Sequence, residues 1–384
     1  MLPQFAPALA PQVKPRLAIE RVEVFGVAVP LVGGGFKNAY LTKTVQKSAL
    51  VRLTAAGGAV GLGNIDPSPG YSTETVEQSL GILREKLAPC VLGLDATNIY
   101  ALTARLDAAL LGFLDAKAAI EMACVDLTAR ALNVPVYVYL GGAVKERLTF
   151  NAWIGIVSPE EAAAEALKWL KRGFRSAKIK VGGGVEADRE RVKAVREAVG
   201  SAMALRIDAN AGYDPDTAIR LARLTRPYDL QLIEQPVAAD DLVGMARVRR
   251  EADGIPIMAD ESILDHASLI SVIKAGAADI VKLKVMKQGG LRRTAAMLAT
   301  AQAAGMRCVV GHGFGLGINT VAEIMLAATS ANVIDGLECV GPLKTADDIV
   351  TEKLDLGSGA LALPPGPGLG VTLDEAKLAR YRFA

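Results

Sequence analysis

"AKIKVGGG", residues 177–184, reads as a short buried strand that ends on a charged residue and breaks at once into glycines. Lys178 and Lys180 are two apart, so both point to one face of that strand, about 6.5 Å from each other. At an effective dielectric of about 20, two ammonium groups so placed repel by ~2.5 kcal/mol, or about two pKa units. A lysine lowered that far serves as a neutral base near neutral pH. Lys180 takes that part, with Lys178 as the charged perturber and a ligand for a substrate carboxylate.

The same texture continues downstream. From Leu148, apolar segments alternate with helix-length amphipathic stretches: "LTFNAWIG", "AKIKV", "ALRIDAN", "LIEQPV", "IPIMADE", "IVKLKV", "RCVVGHG" and "GLECVG". Eight strands divided by helices predict parallel pairing, because parallel neighbours need a crossover. Lys180, Asp208, Glu234, Asp260, Lys284, His312 and Glu338 follow at intervals of 28, 26, 26, 24, 28 and 26 residues, one βα unit each time. An α/β fold of the (β/α)8 barrel type suits so many equal units better than an open sheet, and it gathers these residues at the barrel mouth. Residues 1–145 have a different texture and read as an α+β unit. Alternating strands, joined around Gly57-Gly58, lead into a helix capped by Ser72 with Glu74 in its first turn, and then into an Ala/Leu-rich helical run from about 97 to 132.

Barrel closure would bring Asp208, Glu234 and Asp260 together from three successive strands. Three carboxylates repel unless a cation relieves them, and all-oxygen donors point to Mg²⁺, with Mn²⁺ as a substitute. Zinc is disfavoured because the set holds no cysteine. Asp260 and Glu261 are adjacent, so only one faces inward, and the register selects Asp260. Four strands after Lys180, "KLKVMKQGG" repeats the paired-lysine device with Lys282 and Lys284. Lys180 and Lys284 would face each other across the metal, one to remove a carbon-bound proton and either to return it, through a metal-stabilised enolate. Asn210 shares the inward face with Asp208 and either orients a lysine or makes a simple buried hydrogen bond. His312, between two glycines, is either a substrate ligand or a hydrogen-bonded structural residue.

Composition narrows the partners. Of 384 residues, 43 are Lys or Arg and 41 Asp or Glu, which leaves no electrostatic footprint for nucleic acid or anionic membrane. The start "MLPQFAPALAPQVKPRL" lacks the charged n-region and apolar core of a signal peptide, and no apolar run is long enough for a membrane span. Four scattered cysteines without CxxC spacing read as reduced core residues, consistent with a cytoplasmic protein. The glycine clusters "VGGGVEAD" and "GHGFGLG" do not fit G-x-G-x-x-G, so no dinucleotide cofactor is expected.

Together, the KxK at 178–180, "RIDANAGYD", "LIEQP", "ADES" and "KVMKQGG" resemble the enolase superfamily, in its muconate lactonizing enzyme (muconate cycloisomerase) subgroup. The resemblance covers nearly the whole chain. It implies a (β/α)7β TIM-like barrel over residues 146–345, an N-terminal α+β capping domain over 1–145, and a C-terminal segment, 346–384, returning to the cap. It implies that Asp208, Glu234 and Asp260 bind Mg²⁺, that Lys180 and Lys284 are the acid/base pair, and that the chain is a homo-oligomer. It also makes "LVGGGFKNAY" and "IDPSPGYST" lids over the mouth, with Phe36, Lys37 and Tyr40 as substrate contacts. "GLECVGPLKTADDIV" is similar to muconate cycloisomerases, with Glu338 as their acidic eighth-strand residue. "GHGFGLG" and Lys282 depart from that pattern, and the paired aspartates of dipeptide epimerases do not occur. The expected activity is an isomerase of a small-molecule carboxylate, first a muconate-type cycloisomerase. Alternatives are a racemase or epimerase of an N-acyl or betaine amino-acid derivative, an acid dehydratase, or a non-catalytic carboxylate-binding barrel. Lys178, Lys282, His312 and Asn210 are the further substrate contacts in the barrel.

Overall fold

A computed structural model describes residues 17–37, 42–70 and 72–384. The N-terminal unit contains strands β1 (Ile19–Pro30), β2 (Phe36–Lys37), β3 (Thr42–Lys43), β4 (Val45–Ala55) and β5 (Val60–Ile65). β1, β4 and β5 form an antiparallel sheet, and β2 and β3 form a small hairpin. Helices α1 (Val76–Ile82), α2 (Ala88–Val91), α3 (Ile99–Ala109), α4 (Leu114–Ala131) and α5 (Val136–Tyr139) complete it. The expected turn at Gly57-Gly58 joins β4 to β5, both glycines at positive φ.

Three local expectations fail. The N-cap of α1 is Thr75, not Ser72: Thr75 and Gln78 exchange side-chain and backbone hydrogen bonds in a capping box. Glu74 precedes that helix and reaches instead to α4, accepting from Asp115 N at 2.9 Å and Ala116 N at 3.2 Å. The anionic side chain thus caps another helix, where the dipole rewards it. The helical run from 97 to 132 is two helices, because the chain turns at Leu110–Phe113.

α4 is buried along nearly its whole length and lies on β5. Gly61 and Gly63 make that approach feasible: a Cβ on Gly61 would fall 2.1 Å from Ala123 O, and one on Gly63 1.9 Å from Ala119 O. The alanines of α4 meet a strand with no side chains at those points.

The barrel follows as β6 (Arg147–Thr149), β7 (Ala152–Ile154), α6 (Pro159–Arg172), β8 (Ser176–Lys180), α7 (Val185–Val199), β9 (Ala204–Asp208), α8 (Pro215–Thr225) and β10 (Leu230–Glu234). It continues with α9 (Leu242–Glu251), β11 (Ile257–Ala259), α10 (His266–Ala275), β12 (Ile280–Leu283), α11 (Leu291–Ala303), β13 (Arg307–Val310) and α12 (Gly317–Ala328). β7 to β13 form one parallel seven-stranded sheet in chain order. The eighth place is taken by 333–338. Ile334 N donates to Cys308 O and Glu338 N to Val310 O on one side, while on the other Leu337 N donates to Thr149 O and Leu337 O accepts from Asn151 N. This irregular segment therefore closes the ring. Gly311 permits the closure, since a Cβ there would lie 2.3 Å from Cys339 N. β14 (Ala360–Ala362) then pairs with β6, and α13 (Glu375–Tyr381) packs on β1.

Cys124, Cys308 and Cys339 are buried thiols and Cys90 is half-buried. Among the described residues no helix is long and apolar enough to cross a membrane.

Gly63→Ala should destabilise the protein by about 1–3 kcal/mol in urea unfolding, because backbone must move. Gly81→Ala, in α1 with nothing within 4 Å of the added carbon, should leave stability unchanged or raise it by up to about 1 kcal/mol.

Candidate active site

Parallel register places the charged residues in a row. Lys180 is the ladder neighbour of Asp208, and Asp208 of Glu234. Asp260 follows β11 directly and Lys284 follows β12, so these residues all stand at strand C-termini. Glu338 reaches the ring from the closing segment. The sequence intervals thus correspond to one mouth, and β8 and β12, the second and sixth of eight positions, are opposite each other.

The side chains form an alternating ionic net. Lys178 Nζ lies 3.0 Å from Asp208 Oδ2, 2.8 Å from Glu234 Oε2 and 2.5 Å from Glu338 Oε2. Lys282 Nζ lies 3.0 Å from Glu234 Oε1, 3.4 Å from Asp260 Oδ2 and 2.5 Å from Glu338 Oε2. At the ends of this arc, Lys180 Nζ donates to Asp208 Oδ2 at 2.6 Å and Lys284 Nζ to Asp260 Oδ1 at 2.6 Å. Asn210 accepts from Lys180 at 2.5 Å through Oδ1 and donates to Glu261 at 3.0 Å through Nδ2, so it orients Lys180 rather than Lys178. Below, Arg206 is fully buried and donates to Gly336 O at 2.8 Å and Glu338 Oε1 at 3.3 Å.

This geometry corrects the simple repulsion between Lys178 and Lys180. Asp208 Oδ2 touches both ammonium groups, so a negative charge stands between them. Burial pulls Lys178 down, but Asp208, Glu234 and Glu338 outweigh it and hold the ammonium above its usual range. Lys282 is held well above by the same balance. Burial opposes ionisation of Asp208, yet Lys178 and Lys180 hold it at about 2. Glu234 is pushed up to about 8 by burial and by its neighbours Asp208 and Glu338.

Asp208, Glu234 and Asp260 are buried oxygen donors linked through shared ammonium groups, a donor set whose chemistry fits a hard divalent cation. As they stand, the described residues hold no trio of His, Cys, Asp or Glu side chains closed around a common point. The ammonium groups of Lys178 and Lys282 lie between the carboxylates.

Above the net is a cavity of about 540 Å³. Trp153 to Val157 form an apolar wall, and Lys180, Lys284, His312 and Ser68 also face it. His312 combines both sequence readings: it lines the cavity, and its Nε2 lies 3.1 Å from Asp66 O. The carbonyl can only accept, so Nε2 carries the proton. Asp66 belongs to the "IDPSPGYST" loop and ties the cap to the barrel, accepting from Ser48 Oγ at 2.5 Å, Asn319 Nδ2 at 3.1 Å and Leu316 N at 3.3 Å. Phe36 and Lys37 are described by their backbone alone, and Tyr40 lies outside the described residues. The sequence reading missed Asp66, Arg206 and Lys344. Asp66 and Arg206 carried a usable signal, a charge inside an apolar strand or at its end; Lys344, on a turn, carried none.

Residues 161–377 match the family described as enolase C-terminal domain-like, and residues 21–141 match the mandelate racemase / muconate lactonizing enzyme N-terminal domain. The N-succinyl Arg/Lys racemase of Bacillus cereus ATCC 14579 superposes with a TM-score of 0.91 at 31% identity, over 96% of this chain and 98% of that one. Muconate lactonizing enzyme from Pseudomonas fluorescens, in complex with muconolactone, gives 0.90 at 34%, over 96% and 100%. Dipeptide epimerase from Enterococcus faecalis V583, in complex with Mg and the dipeptide L-Leu-L-Tyr, gives 0.88 at 32%, over 92% and 99%.

Burial pushes Asp66 up to about 6, against the hydrogen bonds that favour its charge. A raised carboxyl stabilises the fold fully below about pH 4, and that contribution is lost as pH rises through 6. Asp66→Asn should therefore gain on the wild type by up to roughly 3 kcal/mol between about pH 4 and 7. Paired urea titrations across this range measure it, and a pH-independent difference would refute the assignment.

Proposed function

The chain belongs to the mandelate racemase and muconate lactonizing enzyme family of the enolase superfamily, and on that premise we propose that it is a Mg²⁺-dependent isomerase, with Mn²⁺ able to substitute. It takes a proton from a carbon α to a carboxylate and returns it. The observation that carries this reading is the placement of Lys180 and Lys284 at opposite ends of the carboxylate arc, each ammonium held by a different aspartate.

Asp208, Glu234 and Asp260 are the residues that would hold the ion. A bound divalent cation supplies positive charge against the negative charge that grows on the substrate carboxylate as the proton leaves. Lys180 Nζ, aimed by Asn210, exchanges a proton with one face of the α-carbon, and Lys284 Nζ, aimed by Asp260, serves the other. Lys178 and Lys282 keep Glu338 and Glu234 compensated while this happens. The apolar wall from Trp153 to Val157 keeps water from the carbanion-like centre.

The first specific substrate is a muconate-like diacid undergoing cycloisomerisation. Glu338 at the closing segment and the lysine-rich cavity support it, as does the likeness to a muconate lactonizing enzyme. Racemisation or epimerisation of an amino-acid derivative is the second reading. It is favoured by the two opposed lysines, since inversion at carbon needs a proton donor and an acceptor on opposite faces.

In D₂O with Mg²⁺, a panel of muconates, N-acyl amino acids and dipeptides separates these readings. A cycloisomerase consumes the diene absorbance; a racemase introduces α-deuterium and erases optical rotation. Failure of every acid to exchange or react would remove the proposal. Lys180→Ala and Lys284→Ala should each lower turnover by about 10²- to 10⁴-fold, with ligand binding retained, and chelation with EDTA should abolish turnover reversibly.

A further inference from the structure

Gln235 follows Glu234 at the end of β10 and is fully buried. Its side-chain Oε1 accepts from Asp260 N at 3.0 Å and Ser262 N at 3.2 Å, and its Nε2 donates to Val237 O at 2.9 Å. Two main-chain donors at one end and a carbonyl at the other fix which way the amide points. Glutamate would set an oxygen against the Val237 carbonyl, and methionine would offer the two N–H groups no oxygen. The main chain of Gln235 reaches the neighbours on both sides: its N donates to Met258 O at 2.9 Å, and its O accepts from Ala211 N at 2.8 Å.

The backbone here is held in an unfavourable state. Among the described residues, seven other than glycine have positive φ, and four of them are Asn or Asp, the types that tolerate it best. Of the remaining three, Ala211 (φ 61°) and Gln235 (φ 33°) are hydrogen-bonded to each other, with Asn210 (φ 46°) alongside. Such a conformation persists only where its surroundings impose it, and strained backbone gathers at sites that need a fixed geometry. Here it lies among the strand ends that carry Asp208, Glu234 and Asp260. Aspartate has only two side-chain torsions, so a shift of its main chain passes almost undiminished to its oxygens.

We propose that Gln235 is a positioning residue for the divalent cation. Its main chain ties the loop after Asp208 to β10, and its side-chain amide ties β10 to the turn at Asp260–Ser262. It thereby sets the spacing of the three carboxylates and, with it, a preference for Mg²⁺ over Ca²⁺. Mg²⁺ requires near-octahedral oxygens at about 2.0–2.1 Å, whereas Ca²⁺ accepts looser geometry at about 2.3–2.6 Å, so a rigid tie favours the smaller ion. The inference rests on the reading above, in which Asp208, Glu234 and Asp260 hold the ion, and it adds what spaces them. Gln235 carries no charge, so replacing it alters that spacing and leaves the charge count of the ionic net unchanged.

The test measures metal affinity alone, on the full chain stripped with EDTA and without substrate. Free Mn²⁺ is followed by its electron paramagnetic resonance signal, with Mg²⁺ and Ca²⁺ as competitors. Gln235→Met should weaken Mg²⁺ binding about 10- to 100-fold and Ca²⁺ binding less, so that the Mg²⁺/Ca²⁺ affinity ratio falls. Gln235→Asn suits the left-handed backbone but is one methylene too short to reach Asp260 N, and it should show the same fall. An unchanged ratio in Gln235→Met, an equal loss of both cations, or wild-type affinity in Gln235→Asn would each overturn the inference. A purely structural role would lower the thermal stability of the metal-free protein and leave the ratio alone. If both variants fail to fold, Ser262→Ala, which removes a hydroxyl 2.9 Å from Gln235 Nε2, decides by a smaller fall in the ratio or none. A wild type that takes up no divalent cation would strike the underlying reading of the three carboxylates, and this inference with it.

Discussion

Buried charge must be answered by opposite charge, and at the mouth of this barrel that requirement shapes everything else. Asp208, Glu234, Asp260 and Glu338 are nearly inaccessible to solvent, as are Lys178, Lys282 and Lys284. An isolated charge at such depth would be strongly destabilising, whereas a closed alternation of signs is tolerable. Strand order and register create the alternation: neighbouring strands bring Lys180 beside Asp208 and Asp208 beside Glu234 before any side chain chooses a rotamer. The closing segment joins the same net through Glu338. Completing the barrel and compensating its interior charges are one structural event.

Much of this was legible because its causes are periodic. A βα unit has a nearly fixed length, so charged residues at regular intervals give both the barrel and the membership of its mouth, and the two-residue period of a strand correctly turned Lys178 and Lys180 the same way. Pairwise partners were not legible. The repulsion argument treated those lysines as an isolated couple, while Asp208, 28 residues beyond Lys180, places an oxygen against both. Helix starts failed for a related reason. Glu74 looks like a first-turn acid in one dimension, but in three it caps a helix that begins forty residues later.

The cap depends on a second, smaller network. Asp66 gathers donors from its own unit, Ser48, and from the barrel, Leu316 and Asn319, while its carbonyl fixes the tautomer of His312. A cavity wall and an interdomain contact are thus made by the same residue. Asp66 cannot shift without disturbing the imidazole that lines the cavity.

The contrast between ladder and turn has an evolutionary consequence. Asp208 and Glu234 are strand residues whose positions are set by main-chain pairing on both sides, and Lys180 is paired to Asp208 on one. His312, Phe314 and Lys344 stand on connections, where sequence drifts with little effect on the scaffold. Substitutions at the rim can therefore reshape the upper cavity while the ionic net underneath stays where the strands place it.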